Sequence, residues 1–341
     1  MKTTLGRRPV WMVLAAAGLV ALAACGSDAD DSAETGDSAA GASLDSLNII
    51  VPADPGGGWD QTGRALDEVV TGNDLASSTN VTNVGGAGGT IGLATLANEQ
   101  DPYTLMVTGL VMVGAVETNG SETRIEDTTP IARLTEEPLV IVVPAESPYQ
   151  SVDDLVEDIV ANGKDVTVTG GSAGGADHIL AGLLLGAAGV PPAETTQKLN
   201  YVPNAGGGEA VSLLLGNNAS SGISGVAEFS EQVKSGELRA LAVSGGEPSA
   251  LLPDVPTLQD EGYDVELTNW RGVLAPGGIE DAERQELIDV VTSAAESAEW
   301  KAVLEENAWD DAFLPGDEFD SYLEGNISEV NDTLVSIGLV Q

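Results

Sequence analysis

The sequence predicts an α/β fold built from two sheets, and three observations predict it. From Leu47 onward, short β-rich runs alternate with segments whose apolar residues recur at three- and four-residue spacing. Gly-rich loops join the ends of the runs to the starts of the helical segments. The runs are also numerous enough for two sheets rather than one. A chain of 341 residues has room for two domains, each with a core.

Strands are expected at Leu47 to Pro52, Asn80 to Asn83, Tyr103 to Thr108, Leu139 to Pro144 and Val166 to Thr169. Further ones are expected at Lys198 to Val202, Ala219 to Ile223, Leu238 to Ser244 and Val265 to Thr268. Helices are expected at Asp60 to Val70, where Ala65, Leu66, Val69 and Val70 share a face, and at Val152 to Ala161, His178 to Ala188, Glu209 to Leu215 and Asp281 to Ala295. The alternation argues for βα units with mainly parallel strands.

The N-terminus carries an address. Lys2, Arg7 and Arg8 precede an uninterrupted apolar run from Val10 to Ala21, too short to span a bilayer and suited to a signal h-region. Leu22-Ala23-Ala24-Cys25-Gly26 then resembles a bacterial lipobox, in which the Cys thiol is lipidated and the chain is cut just before it. Residues 1–24 are therefore expected to be a lipoprotein signal peptide, with Cys25 as the lipidation site on the outer face of the cell membrane. Cys25 is the only cysteine, which excludes an internal disulfide and any Cys-rich metal site. Residues 25–46 are of low complexity, with Leu44 the only large apolar residue, and read as a flexible tether.

Charge excludes several classes. The chain has 54 acids against 13 bases, a net charge of −41, and three of those bases lie in the signal segment. Nucleic acid and anionic lipid surfaces are poor partners for such a body, so membrane contact is expected through the lipid anchor only.

Four loops carry the functional signal: Pro55-Gly56-Gly57-Gly58, Gly85-Gly86-Ala87-Gly88-Gly89, Gly170-Gly171-Ser172-Ala173-Gly174-Gly175 and Ala205-Gly206-Gly207-Gly208. Ligands of open α/β sheets bind beyond the carboxyl ends of strands. Glycine there lets backbone approach a ligand, and amides at a helix N-terminus suit an anion.

Enzyme signatures are weaker. Gly170 to Gly174 matches G-x-S-x-G, the nucleophile elbow of serine hydrolases. The single histidine, His178, follows Ser172 by only six residues, about 9 Å of helical rise and about 240° around the axis, which does not return the imidazole to the serine. No dinucleotide fingerprint, P-loop, zinc ligand set or EF-hand spacing is present, so neither cofactor nor metal is expected.

Taken in order, the loops resemble the substrate-binding proteins of tripartite tricarboxylate transporters, the Bug family of extracytoplasmic receptors. The resemblance rests on Val51 to Asp60, Asn83 to Gly92, Gly170 to His178, Tyr201 to Gly208, Leu238 to Ser244 and Asp254 to Leu258, and covers nearly all of the chain from Leu47. Gly175 to Gly182 and Asn269-Trp270-Arg271-Gly272 resemble the tricarboxylate-binding branch most. Two departures stand out: Ala53-Asp54-Pro55 replaces a two-proline loop, and Val84 replaces a base, which removes an anion contact.

The resemblance implies a two-domain periplasmic-binding-protein-like fold of type II, with two crossovers and a ligand cleft between the domains. Domain one would comprise residues 47–146 plus 269–341, and domain two residues 147–268. The ligand would be a small di- or tricarboxylate, citrate-like as first choice, delivered to polytopic membrane subunits, one large and one small. Gly57, Gly58, Trp59, Gly86, Ala87, Gly88, Gly89 and Thr90 would frame the proximal carboxylate. Thr108, Ser172, Ala173, Gly174, Gly175, Asn204, Ala205 and Gly206 would line the far wall. Arg271 is equally a salt-bridge residue or a contact to a distal carboxylate, and His178 reads as a packing residue or neutral donor. The alternatives are a ligand sensor with a signalling partner and a serine hydrolase using Ser172. Cys25→Ala is expected to move the protein from the membrane fraction to the soluble one with ligand binding unchanged; a variant still held at the membrane would remove the anchor.

Overall fold

The computed structural model describes residues 43–204 and 207–340; Cys25 and the expected signal peptide lie outside the described residues. In chain order the elements are β1 (Leu47–Val51), α1 (Gly58–Gly72), β2 (Thr79–Asn83), α2 (Thr90–Leu96), β3 (Thr104–Gly109), α3 (Leu110–Thr118) and the long β4 (Thr129–Pro144). Then come α4 (Val152–Asn162), β5 (Thr167–Gly170), α5 (Ala176–Ala187), α6 (Pro192–Lys198), β6 (Asn200–Pro203), α7 (Gly207–Leu215), β7 (Ser221–Gly225), α8 (Val226–Lys234) and β8 (Leu238–Val243). The chain ends with β9 (Thr268–Ala275), α9 (Asp281–Ala295), α10 (Ala298–Asn307), β10 (Asp310–Pro315) and α11 (Asp317–Ser336).

Local chemistry sets several boundaries. Ser151 starts α4 in a reciprocal cap: its hydroxyl accepts from the Asp154 N–H, and the Asp154 carboxylate accepts from the Ser151 N–H. Ser297 caps α10 with a single bond, accepting from the Trp300 N–H. Helix α1 lies close to its sheet because residue 63 is glycine; a Cβ there would come within 2.5 Å of Val51 Cγ2.

Two groups of parallel strands are present, β2-β1-β3 and β6-β5-β7. They are not separate sheets. β4 runs through both groups, pairing antiparallel with β9 from Thr129 to Pro138 and with β7 and β8 from Leu139. β9 also pairs antiparallel with β3, and β10 with the first half of β4. The expectation of mainly parallel strands in two sheets is thus corrected at the centre, where the two longest strands, β4 and β9, run antiparallel.

Three further differences have physical reasons. The first half of β4 contains Pro130, Arg133, Glu136 and Glu137, and no apolar run announces it. β9 (TNWRGVLA) starts where the expected strand Val265 to Thr268 ends, because its buried Arg271 is paired rather than solvated. Leu44, inside the segment expected to be a tether, is buried: its N–H donates to Leu75 O at 3.0 Å, and its carbonyl accepts from the Ser77 N–H at 2.8 Å.

The two strand groups meet beside α3. A Cβ on Gly114 in α3 would overlap the carbonyl oxygen of Gly174, and one on Gly174 would overlap the Thr118 hydroxyl. The end of α11 also reaches across, since a Cβ on Gly182 of α5 would lie 2.7 Å from Ile337 Cδ1. Gly114→Ala must push α3 and the Gly170 to Gly175 loop apart. The expected cost is about 1–3 kcal/mol in a denaturant melt; an unchanged midpoint would show that this approach is not close in solution.

Candidate functional site

Strand ends and helix starts from both strand groups converge on a cavity of about 420 Å³, within the usual range for small-molecule sites. One wall is made by Pro52 to Asp54, Gly57 to Trp59 and Gly86 to Gly89. The opposite wall is made by Gly171 to Ala173, Asp177, Pro203, Asn204, Glu209, Ser224, Gly225 and Glu228. Val111 and Asn119 border it from α3 and its end, and Asn269 and Arg271 from β9.

The near wall is mostly backbone. Four consecutive residues, Gly86 to Gly89, have φ values between +50° and +123°, with Ala87 the one non-glycine. Ala87 is held there through its carbonyl, which accepts from Asn119 Nδ2 at 2.9 Å and Thr90 Oγ1 at 3.0 Å. Gly89 has a second constraint: a Cβ would press on the Trp59 ring at 2.7 Å. Trp59 itself is buried and forms part of the wall.

Of the expected site residues, Gly57, Gly58, Trp59, Gly86, Ala87, Gly88, Gly89, Ser172, Ala173, Asn204 and Arg271 line the cavity. Thr108 does not; it is fully buried and its hydroxyl donates to Met112 Sδ at 3.4 Å. Thr90 lies outside the lining and spends its hydroxyl on Ala87. Gly174 and Gly175 also lie outside it: the Gly174 N–H donates to His178 Nδ1 at 3.1 Å and the Gly175 N–H to Ser172 O at 3.0 Å. Asn204 faces the cavity, yet its Nδ2 donates to Thr169 Oγ1 at 2.7 Å and Gly170 O at 2.8 Å, tying the ends of β5 and β6 together. Ala205 and Gly206 lie outside the described residues.

Among the described residues no triad forms around Ser172. His178 accepts from the Gly174 N–H through Nδ1, and its ring stacks on Tyr201 with centroids 4.1 Å apart and 7° between planes. Burial pushes its pKa down to about 4, so it is neutral at physiological pH. Ser172 instead faces the near wall, where a Cβ on Gly88 would lie 3.4 Å from its own Cβ. Among the described residues no group of three or more His, Cys, Asp and Glu is placed to hold a metal.

The floor is an ion pair. Arg271, opposite Thr135 in the β4–β9 ladder, reaches diagonally along one face to Glu137 and donates through Nη2 to Oε1. Both side chains are almost fully buried, and the Arg271 guanidinium lies 5.0 Å over the Trp309 ring. Among the described residues, Arg271 Nε and Nη1, Glu137 Oε2 and Asn269 Oδ1 find no partner. A Cβ on Gly58 would overlap Arg271 Nη2, so the start of α1 rests directly on the pair. Arg271 is therefore a salt-bridge residue that also borders the cavity.

Sequence reading missed the acids of the far wall. Asp177, Glu209 and Glu228 stand in the first turns of α5, α7 and α8, the three helices that begin at this wall. The repetition of an acid just after each strand-to-helix loop is the signal that could have found them. Asp177 is the most enclosed; its carboxylate accepts the Gly171 N–H. Burial, opposed by that bond and reinforced by the negative charges of Glu228 and Glu137, pushes its pKa up to about 7.

Two strand groups bridged by antiparallel crossovers, with a cavity at the strand ends between them, define an α/β receptor of the periplasmic-binding-protein class. Solved structures agree in fold. The periplasmic binding protein BugD aligns with a TM-score of 0.75 at 23% identity, covering 86% of this chain and 98% of BugD. MatC of Rhodopseudomonas palustris, solved with bound malate, aligns with a TM-score of 0.74 at 21% identity, covering 85% and 98% of the two chains. By sequence, protein BugT of Bordetella pertussis is 30% identical over 242 residues, 68% of this chain and 71% of BugT. Residues 64–326 match the tripartite tricarboxylate transporter family receptor, and the chain belongs to that family. It is a solute-binding receptor, not an enzyme.

Glu137→Gln is expected to leave the buried Arg271 without its counter-charge at a cost of about 3–5 kcal/mol, read as a lower unfolding midpoint. A loss below about 1 kcal/mol, the level of an exposed pair, would show that water reaches the floor.

Proposed function

We propose that this receptor captures a small di- or tricarboxylate, citrate-like as first choice, outside the cell membrane and delivers it to a transporter of one large and one small membrane subunit. Lipid on Cys25 would hold it at the outer face of the membrane. Residues 47–146 with 269–341, and residues 147–268, would act as the two lobes that close on ligand.

The observation that carries this reading is the juxtaposition of the near-wall loops with Arg271. The start of α1, with Gly58 against the guanidinium, and the Gly86 to Gly88 turn offer backbone to one carboxylate. Arg271 borders the same cavity and brings a positive charge to its floor, which favours a ligand carboxylate there. MatC with malate and a second Rhodopseudomonas palustris protein, solved with adipate at a TM-score of 0.74 and 20% identity, are relatives of this fold that hold dicarboxylates.

A ligand at a hundredfold excess over its Kd stabilises the folded state by about 2.7 kcal/mol. A thermal-shift panel is therefore expected to show upward shifts with citrate, malate, succinate or adipate, and none with sugars or cationic amino acids. Repeated at several NaCl concentrations, without divalent metals, affinity is expected to stay flat or rise. Contact hydrogen bonds are hardly screened, whereas repulsion from the acidic body is screened over about 10 Å at 0.1 M salt. A panel silent for every carboxylate would remove the function, and a steep fall with salt would replace the amide cradle by a basic site.

A further inference from the structure

The far wall poses a problem that the carboxylate-receptor reading, on which this inference rests, does not solve. Asp177 and Glu228 border the cavity beside Arg271, and Arg271 is already engaged by Glu137. A dicarboxylate whose first carboxylate sits at the near wall brings its second one toward this group. Every acid that stays ionised there opposes it.

Asp177 is placed to resolve the conflict. It is more than nine-tenths buried, stands in the first turn of α5, and borders the same cavity as Arg271, the base held by Glu137 on the floor. One of its oxygens accepts the Gly171 N–H. The groups that face it are Tyr201 from β6, Glu228 from α8, Glu137 from β4 and Arg271 from β9. His178 follows it on α5, while Glu209 on α7 and Asp54 on the near wall border the cavity further out. Of these, only Arg271 brings a positive charge.

We propose that Asp177 is a specificity residue that meets the ligand's distal carboxylate as a neutral carboxylic acid, so that each ligand enters with one proton. The proton comes from solvent, resides on the Asp177 oxygen that does not accept from Gly171, and is donated to the ligand carboxylate as an O–H···O⁻ hydrogen bond. Arg271 contributes a positive charge beside it. No covalent bond is made or broken. The site thereby prefers an acceptor at its far end and rejects a cationic group there, which would need Asp177 ionised.

Its direction of pH dependence follows. In the unliganded protein burial already raises Asp177 to about 7, and a second negative charge beside it raises it further. His178, lowered to about 4 by burial, is neutral above that range, and burial pushes the Tyr201 phenol upward, out of it. Binding thus takes up a proton at pH values where free Asp177 is ionised and the ligand's own carboxyls are too.

The test is calorimetric titration at about pH 8 in two buffers of different ionisation heat, using whichever of succinate, malate and adipate gives the largest thermal shift. Uptake approaching one proton per ligand is expected, with affinity falling up to about tenfold per pH unit above pH 8. Asp177→Asn keeps an acceptor for the Gly171 N–H and a donor for the ligand but cannot titrate, so its proton uptake should vanish and its affinity should be flat with pH. Binding without proton uptake, proton release on binding, or a pH slope retained in Asp177→Asn would each overturn this inference and leave the receptor reading in place. Failure of every carboxylate to bind the unmodified protein would remove the receptor reading and this inference with it.

Discussion

The buried pair of Arg271 and Glu137 is the interaction on which the site depends. It joins β4 and β9 next to Pro138 and Leu139, where β4 exchanges β9 for β7 and β8 as its partners. Glu137 also lies directly under Gly225 at the start of α8, and Arg271 directly under Gly58 at the start of α1. One ion pair therefore fixes the height at which helices from both strand groups begin. A buried pair is weak evidence for net stability, because desolvation offsets much of the attraction. Its worth here is positional. Glycine at 58 and 225 is the steric counterpart, since any Cβ at either position would collide with the pair.

The two walls then divide the labour by chemistry. The near wall is backbone, with its turn of four positive-φ residues, and such a wall has no means of telling one carboxylate from another. The far wall is side chain. Its three helices each carry an acid in the first turn, so the positive ends of those helix dipoles already face the protein's own carboxylates. An anion cannot treat the two walls alike. In the Gly170 to Gly175 loop, the amides at 171, 174 and 175 are engaged within the protein.

Much of the fold was legible, and the misses share a cause. Strands with apolar runs, such as LNIIV in β1 and LRALAV in β8, and helices with clear periodicity, such as α1 and α9, announced themselves. The first half of β4 and most of β9 did not, because their buried positions include Arg133, Thr135, Glu137, Asn269 and Arg271. A strand that buries charge against charge looks like a loop to any reading based on hydrophobic period. These are also the strands that build the floor of the cavity. The site was legible in its glycines, whose role is local backbone geometry. It was opaque in its acids, because a carboxylate facing a cavity and one facing water look alike among 54 of them.

That acidity sharpens the physical constraint on any anionic ligand. A body of net charge −41 repels an anion at long range, and a basic pocket would be the simple remedy. Here Arg271, the one base lining the cavity among the described residues, is held by Glu137, so little net positive charge is available at contact. Two routes remain for binding an anion under those conditions. One uses neutral donors, the backbone amides of the near wall, which bind without altering the charge of the complex. The other lowers the negative charge of the site itself by placing a proton on a carboxylate that burial has already made easy to protonate. Gly86 to Gly88 would serve the first route and Asp177 the second, so the two walls would meet the same electrostatic difficulty by different means.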